Sequence, residues 1–188
     1  MKQFELPEII KPEGVFYLPN AYISLYNNLK NQKELQEMII NNDDRVPNCA
    51  IINAHMIIDI FQLLAAASKA SLLDNQKKLK TNNVNSEIIF SLSPYTKINE
   101  ANNVFGISND CDAALVIILC EDDAKAMEIN DEVTSFIEGN EIQLSELSSY
   151  TDLEKIKKFF KIDESIQDEK FVLKQVLEQM TLKGLKAE

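Results

Sequence analysis

The side chains able to make or break bonds are few and scattered along this sequence. His55 is the single histidine and sits beside Met56 and Ile57. A general base needs a nucleophile within hydrogen-bond reach, and a cysteine partner for His55 would have to come from elsewhere in the chain. The residue therefore reads as a packed or surface side chain. Cys49, Cys111 and Cys120 are odd in number and lack the closely spaced ligand pair of a zinc site. Buried thiols in a reducing compartment, cytosol or nucleus, are expected. Glu121-Asp122-Asp123 has neither the alternating oxygens nor the glycine turn of a calcium or magnesium loop, so it reads as a solvated strand-end loop. Gly14, Gly106, Gly139 and Gly184 are too dispersed to cradle a phosphate. No catalytic residue, no metal site and no cofactor is expected. Glu87 opens an apolar helix, where a carboxylate interacts favourably with the free backbone amides; a role in binding is the alternative.

What remains is chemistry of contact. Lys69, Lys77, Lys78 and Lys80 lie within 12 residues against the lone Asp74. Joined by Asn75, Gln76, Asn82 and Asn83, they form either a solvated helix exit or a surface that positions a phosphate backbone without reading bases. The rest of the chain opposes a general nucleic-acid binder: net charge is −11, and residues 121–151 hold nine acidic side chains against Lys125. A second contact surface lies near the C-terminus. At about 100° per residue, Ile166, Leu173, Val176, Leu177 and Met180 gather on one arc that should bury against the chain's own core. Phe171, Val172, Gln175, Gln179 and Leu182 gather on another. An apolar arc separated by amides suits a partner surface, unless a neighbouring segment such as the N-terminal strand covers it.

The elements that must carry these groups follow from periodicity. Strands are expected at Lys2–Leu6 and Val15–Leu18, with Pro7, Pro12 and Gly14 punctuating a loop between them. Asn20 to Asn42 reads as one or two helices, closed by Pro47-Asn48, and Cys49–Asn53 as a buried strand. Asp59 caps a helix reaching about Leu73, apolar on nearly every face and so covered on more than one side. Ser86 caps a shorter helix that Pro94 ends. Ile98, Ala101, Val104 and Phe105 form a one-sided helix that Gly106 closes in the left-handed conformation. Ala113–Cys120 is an unbroken apolar strand with both faces covered. Helices follow at about 124–137, at 153–160 behind Thr151 or Asp152, and at about 165–182. The fold class is α/β (mixed α+β): a single domain over residues 1–188, with a small, mostly antiparallel central sheet surrounded by helices. At 188 residues and 45% hydrophobic the chain can bury a sizeable core. Its longest apolar run is too short to cross a bilayer, and the first residues lack the apolar stretch of a signal peptide.

The run Ser86-Glu87-Ile88-Ile89-Phe90-Ser91-Leu92-Ser93-Pro94 is followed by Ile98-Asn99-Glu100-Ala101 and Phe105-Gly106-Ile107-Ser108. With the helix Asp59 to Ala70 upstream, these residues resemble the PRPK-binding protein (TPRKB) family. The similarity is densest over Asp59–Ser108 and weaker from Val15 to the C-terminal helix. The family supplies a non-catalytic subunit of the KEOPS/EKC complex, which docks on the small lobe of the PRPK kinase and supports its activity. The resemblance thus implies a kinase partner, other KEOPS/EKC subunits and a weakly held tRNA. The N6-threonylcarbamoylation of adenosine would belong to the catalytic subunit. It favours the phosphate-contacting reading of the lysines: Lys78 and Lys80 fall on basic family positions, and archaeal relatives hold the 3′ end of tRNA on a basic surface. Asn82 stands where relatives often carry arginine, and Arg45 is the only arginine in the chain. Lysine lacks the two-pronged guanidinium contact, so the grip should be weak and salt-sensitive. Phe171, Val172, Gln175, Gln179 and Leu182 become candidates for the kinase contact. Two rivals remain: a small enzyme using a buried carboxylate or cysteine, and a free-standing RNA-binding module.

Overall fold

Two eight-residue strands, β4 (Asn20–Asn27) and β6 (Ala113–Cys120), form the spine of a computed structural model. Residues 1–6, 9–11, 14–16 and 19–183 are described. The two strands pair antiparallel along their whole length, from Asn20 with Cys120 to Asn27 with Ala113. On the far side of β6 lies β5 (Ala50–Asn53), with Ala50 opposite Ile117. The outer edge of β4 is shared end to end by two short strands. β1 (Lys2–Phe4) pairs Lys2 with Ile23, and β7 (Asn140–Ile142) pairs Ile142 with Leu25. All these pairings are antiparallel, as expected. A separate hairpin joins β2 (Ile9–Lys11) to β3 (Gly14–Phe16). The sequence placed a loop where β2 runs, and its expected strand Val15–Leu18 ends in residues 17 and 18, outside the described residues.

The strand at 20–27 overturns the helical reading of that segment. Ile23, Leu25 and Tyr26 fit either a period of two or the longer helical period. Alternation decides it: Ala21, Ile23 and Leu25 enter one core while Tyr22 and Tyr26 enter the other, and tyrosine and isoleucine suit a pleated surface. Against a partner as apolar on both faces as β6, only the extended form buries both rows. The helical reading holds for α1 (Gln32–Ile40) alone.

Each face of the sheet has its own core. On one side α1 and α5 (Asp123–Phe136) cover Tyr22, Tyr26, Val116 and Ile118 with Leu35, Ile129 and Val133. On the other, five helices pack: α2 (Ile60–Asn75), α3 (Val84–Leu92), α4 (Ile98–Phe105), α6 (Leu153–Phe160) and α7 (Glu169–Thr181). Phe105, Phe159 and Phe160 stack edge to face where α4 meets α6.

Several local expectations change. Asp59 caps α2 as expected, its side chain accepting from the Phe61 amide at 2.7 Å. Yet α2 is not covered all round, since Phe61 is 59% exposed. The cap of α3 is Asn83, which accepts from the Ser86 amide at 2.8 Å; Ser86 already lies inside the first turn. Gly106 is extended (φ −75°, ψ 172°) rather than left-handed. Its reason for being glycine is proximity: a Cβ there would fall 2.5 Å from the Asn102 carbonyl oxygen, where Gly106 bridges to Ile52 of β5. α7 begins at Glu169, four residues later than expected, behind an Asp168 cap. The preceding turn is tied instead by the buried Lys157, whose ammonium donates to the Glu164 carbonyl at 2.9 Å and pairs with Glu154 at 2.6 Å.

Candidate interaction surfaces

The basic segment is a loop between two well-capped helices. At the end of α2, Lys77 takes a left-handed conformation (φ 54°). Its amide donates to Asp74 and the Lys78 amide to Leu73, both at 2.8 Å, the paired bonds that close a helix through a left-handed residue. Lys77, Lys78 and Lys80 all face solvent. Beyond them the chain turns back onto α3 through one side chain, Glu87, which the sequence placed at the helix start with a role in binding as the alternative. Glu87 is 1% exposed, and its Oε2 accepts from the amides of Lys80 and Thr81 at 2.9 Å each and from the Thr81 hydroxyl at 2.8 Å. A buried carboxylate without such donors would be strongly disfavoured.

Lys69, grouped with these lysines in the sequence, has a different assignment. It is half-buried on the side of α2 that meets α7, and its ammonium donates to the Met180 carbonyl at 3.1 Å. Burial first, and then the neighbouring Lys80, push its pKa below the ordinary lysine value. Lys183 does the same one helix over. Its ammonium contacts the Phe90 carbonyl and lies 3.0 Å from the centre of the Phe90 ring. Burial, then Lys69, push its pKa down to about 7. The two lysines thus place their ammonium groups on carbonyls in the last turns of α7 and α3.

Beside the basic loop runs a cleft of about 380 Å³ between α1, α4 and residues 80–82. Isoleucines, Ile51, Ile89 and Ile107 among them, form its apolar lining, and Lys80, Asn82, Asn99, Asn102 and Asn103 are among the polar groups. An amide presents both donors and an acceptor, so this wall can hydrogen-bond to either kind of group. The spacing of Asn99, Asn102 and Asn103 on α4 carried that signal in the sequence. Asn82 lines this cleft as well.

The α7 surface divides differently from the expected arcs. Its burial is centred on Val176, with Val172 and Met180 either side. Val172, placed on the outward arc by sequence, is 1% exposed and part of the core; a small shift in where the helix rests carries it inward. Gln175 is half-buried, and the Gln179 amide donates to the Phe160 carbonyl at 2.9 Å, so Gln179 braces α6 rather than presenting itself outward. Phe171 and Leu182 do face solvent, at 43% and 42% exposure. Leu173, expected in the core, instead lines an open groove of about 490 Å³ with Leu177, Leu182, Lys170 and Lys174. Leu177 also lines a notch against Ala65 of α2, one helical turn from the exposed Phe61. The apolar surface thus spans two helices; the sequence signal for α2's share was more apolar faces than neighbours to cover them.

Two of the thiols and the histidine are held by their surroundings. Burial pushes the Cys49 thiol up to about 12 and the Cys111 thiol up to about 11, so neither is a thiolate nucleophile at neutral pH. His55 bridges the Tyr150 carbonyl at 2.5 Å and the Asp112 carboxylate at 2.7 Å, which engages both ring nitrogens. Among the described residues no helix is long and apolar enough to cross a membrane.

Comparison with known proteins adds a family. The model of the family described as kinase binding protein CGI-121 matches residues 26–184, a span that includes the basic loop, the amide-lined cleft and α7. The chain is similar to the EKC/KEOPS complex subunit TPRKB of Danio rerio, 41% identical over 138 residues, covering 73% of this chain and 76% of that protein. It is similar to the EKC/KEOPS complex subunit cgi121 of Aspergillus fumigatus, 30% identical over 152 residues, covering 78% and 80%. The subunit of the same name from Schizosaccharomyces pombe is 26% identical over 166 residues, covering 87% and 93%.

Proposed function

This chain belongs to the CGI-121 family of kinase-binding proteins, and from that premise we propose that it is a regulatory and tethering subunit of a KEOPS/EKC complex. In this role it docks on a PRPK-type kinase, supports the kinase's activity, and helps bring tRNA to the complex for N6-threonylcarbamoyladenosine formation. It performs no bond chemistry of its own, and residues 1–188 act as one domain in the cytoplasm and nucleus. The observation that carries the proposal is the apolar surface on α7 and α2. Phe171, Leu182 and Phe61 stay exposed on a chain that packs two separate cores, and exposed phenylalanines on the two helices that carry the leucine-lined groove and notch suit a protein contact.

A subunit seated there biases the kinase lobe by binding one conformation better than another. Lys77, Lys78 and Lys80 hold RNA phosphates loosely beside the cleft of Asn82, Asn99, Asn102 and Asn103. Three such contacts give a log–log salt slope of roughly −2 to −3, too weak to act without the tether but sufficient to raise local concentration within a complex. Buried high-pKa thiols and a doubly engaged His55 support the non-catalytic assignment. The test is co-precipitation of the full chain with the kinase. Phe171→Glu and Leu182→Glu change exposed positions, so each should fold and bind the kinase at least tenfold more weakly. Normal binding by both variants refutes the α7 contact, and indifference of the native chain to the kinase refutes the function.

A further inference from the structure

The feature the proposed function leaves unexplained is a full negative charge directly beneath the basic loop. A polyanion approaching Lys77, Lys78 and Lys80 is repelled by Glu87, and a neutral side chain of the same size at position 87 would remove that repulsion. Yet the site is built around the carboxylate. One oxygen collects two consecutive backbone amides and a hydroxyl, all within 2.9 Å, and successive amides converging on one oxygen are the arrangement proteins use to bind anions. The Thr81 hydroxyl is also 3.0 Å from the Asn83 carbonyl, and Asn83 in turn caps α3. The contacts therefore run without a gap from the loop, through Glu87, into the helix core.

We propose that Glu87 is the positioning residue of the basic loop: its carboxylate fixes the backbone at Lys80 and Thr81, so that Lys80 and Asn82 line the cleft together with Asn99, Asn102 and Asn103, in the shape an RNA strand occupies. This rests on the RNA reading of the loop and names the residue that gives it form. Three donors converge on Oε2; a glutamine carbonyl oxygen offers them two lone pairs and no full charge. Without the carboxylate, Lys80 keeps its charge but loses its fixed place on the cleft wall. Flexible lysines must then be ordered as RNA binds, at a cost in affinity.

The two effects of removing the charge have opposite signs, which makes the proposal testable. Electrostatics alone predicts that Glu87→Gln binds tRNA more tightly, because a repelling charge is gone. Positioning predicts weaker binding. The measurement is tRNA affinity of the full chain by fluorescence anisotropy at low salt, with amide hydrogen exchange on the same samples. Glu87→Gln should bind about tenfold more weakly, equivalent to about 1.4 kcal/mol, with faster exchange at Lys80 and Thr81 and unchanged protection in β6. Thr81→Val, which keeps the carboxylate and both amides but removes the hydroxyl donor, should lose about threefold. Native or tighter affinity in Glu87→Gln overturns the proposal. Should that variant fail to fold, native affinity in Thr81→Val overturns it equally. If the native chain itself shows no tRNA binding at any salt concentration, the RNA reading of the loop falls; if it binds and Glu87→Gln leaves binding intact, only the positioning role falls.

Discussion

Lys77 occupies a position where glycine would be more stable. Its φ of 54° puts it in the left-handed region, where a side chain crowds the backbone at a cost of roughly 1–2 kcal/mol. The bonds from Lys77 to Asp74 and from Lys78 to Leu73, both 2.8 Å, hold it there because they terminate α2. Lys77→Gly removes the crowding but gives back about 0.5–1 kcal/mol through the greater freedom of glycine in the unfolded chain. The net expectation is a gain of roughly 0.5–1 kcal/mol, which in a chain of this size raises Tm by about 1–4 °C. Loss of the charge confuses a single variant, since Lys78 and Lys80 lie alongside. Lys77→Ala loses the same charge and keeps the strain, so the Tm difference between the two isolates the backbone term. Thermal unfolding followed by circular dichroism in one buffer measures it. Lys77→Gly should melt above Lys77→Ala; an equal or lower melting temperature would refute the reasoning. In the same preparations both variants should bind tRNA less well than the native chain, which places stability and RNA contact in opposition at one residue.

Two further outcomes follow from packing and charge. Gly106→Ala forces a Cβ to within 2.5 Å of the Asn102 carbonyl oxygen, and backbone cannot yield as a flexible side chain would. A loss of about 1–3 kcal/mol is expected by chemical denaturation, and a stability unchanged from native would show that α4 shifts freely. Lys183 makes stability depend on pH. Its folded pKa of about 7 lies below the ordinary 10.5, so between these values the unfolded chain holds a proton that the folded chain has released. Its contribution to stability is therefore least favourable below pH 7 and improves as pH rises towards 10. The difference in melting temperature between the native chain and Lys183→Met should climb across that window; a flat difference would contradict the burial of this ammonium.

Much of the fold is legible in the sequence where one pattern dominates. Ala113–Cys120 and Cys49–Asn53 read as buried strands because their hydrophobicity is unbroken and their ends are marked. Asp59, Asp152 and the apolar positions behind them announce α2 and α6. Legibility fails where two periods coincide. Residues 20–27 satisfy both, and only a partner strand far away in the chain selects between them. It fails again on α7, where the apolar residues span more than half of the helix. The seat of the helix on α2 and α6 decides that Val172 points in and Leu173 partly out, and that seat is set by Val176 and Met180 together. The basic loop was readable as charge but not as form. Nothing local to Lys80 indicates that its amide points at a carboxylate seven residues on, and a helix-start glutamate looks alike whether it touches solvent or closes a loop. Lys69 stands apart for a related reason: proximity in sequence groups it with Lys77, whereas two turns of helix direct it towards α7.

The pairing of β4 with β6 brings Asn20 against Cys120, and this has a bearing on how the molecule is born. As the nascent chain leaves the ribosome, β4 must wait for about a hundred further residues before its inner neighbour exists. At 5–20 residues per second that delay is roughly 5–20 s. Throughout it, a strand apolar on both faces carries unpaired amides and carbonyls, the kind of surface that recruits chaperones or pairs with a stray strand. Four helices, α1 through α4, lie between the two strands in the chain, so local helix formation can begin to collect apolar surface while β4 still lacks β6.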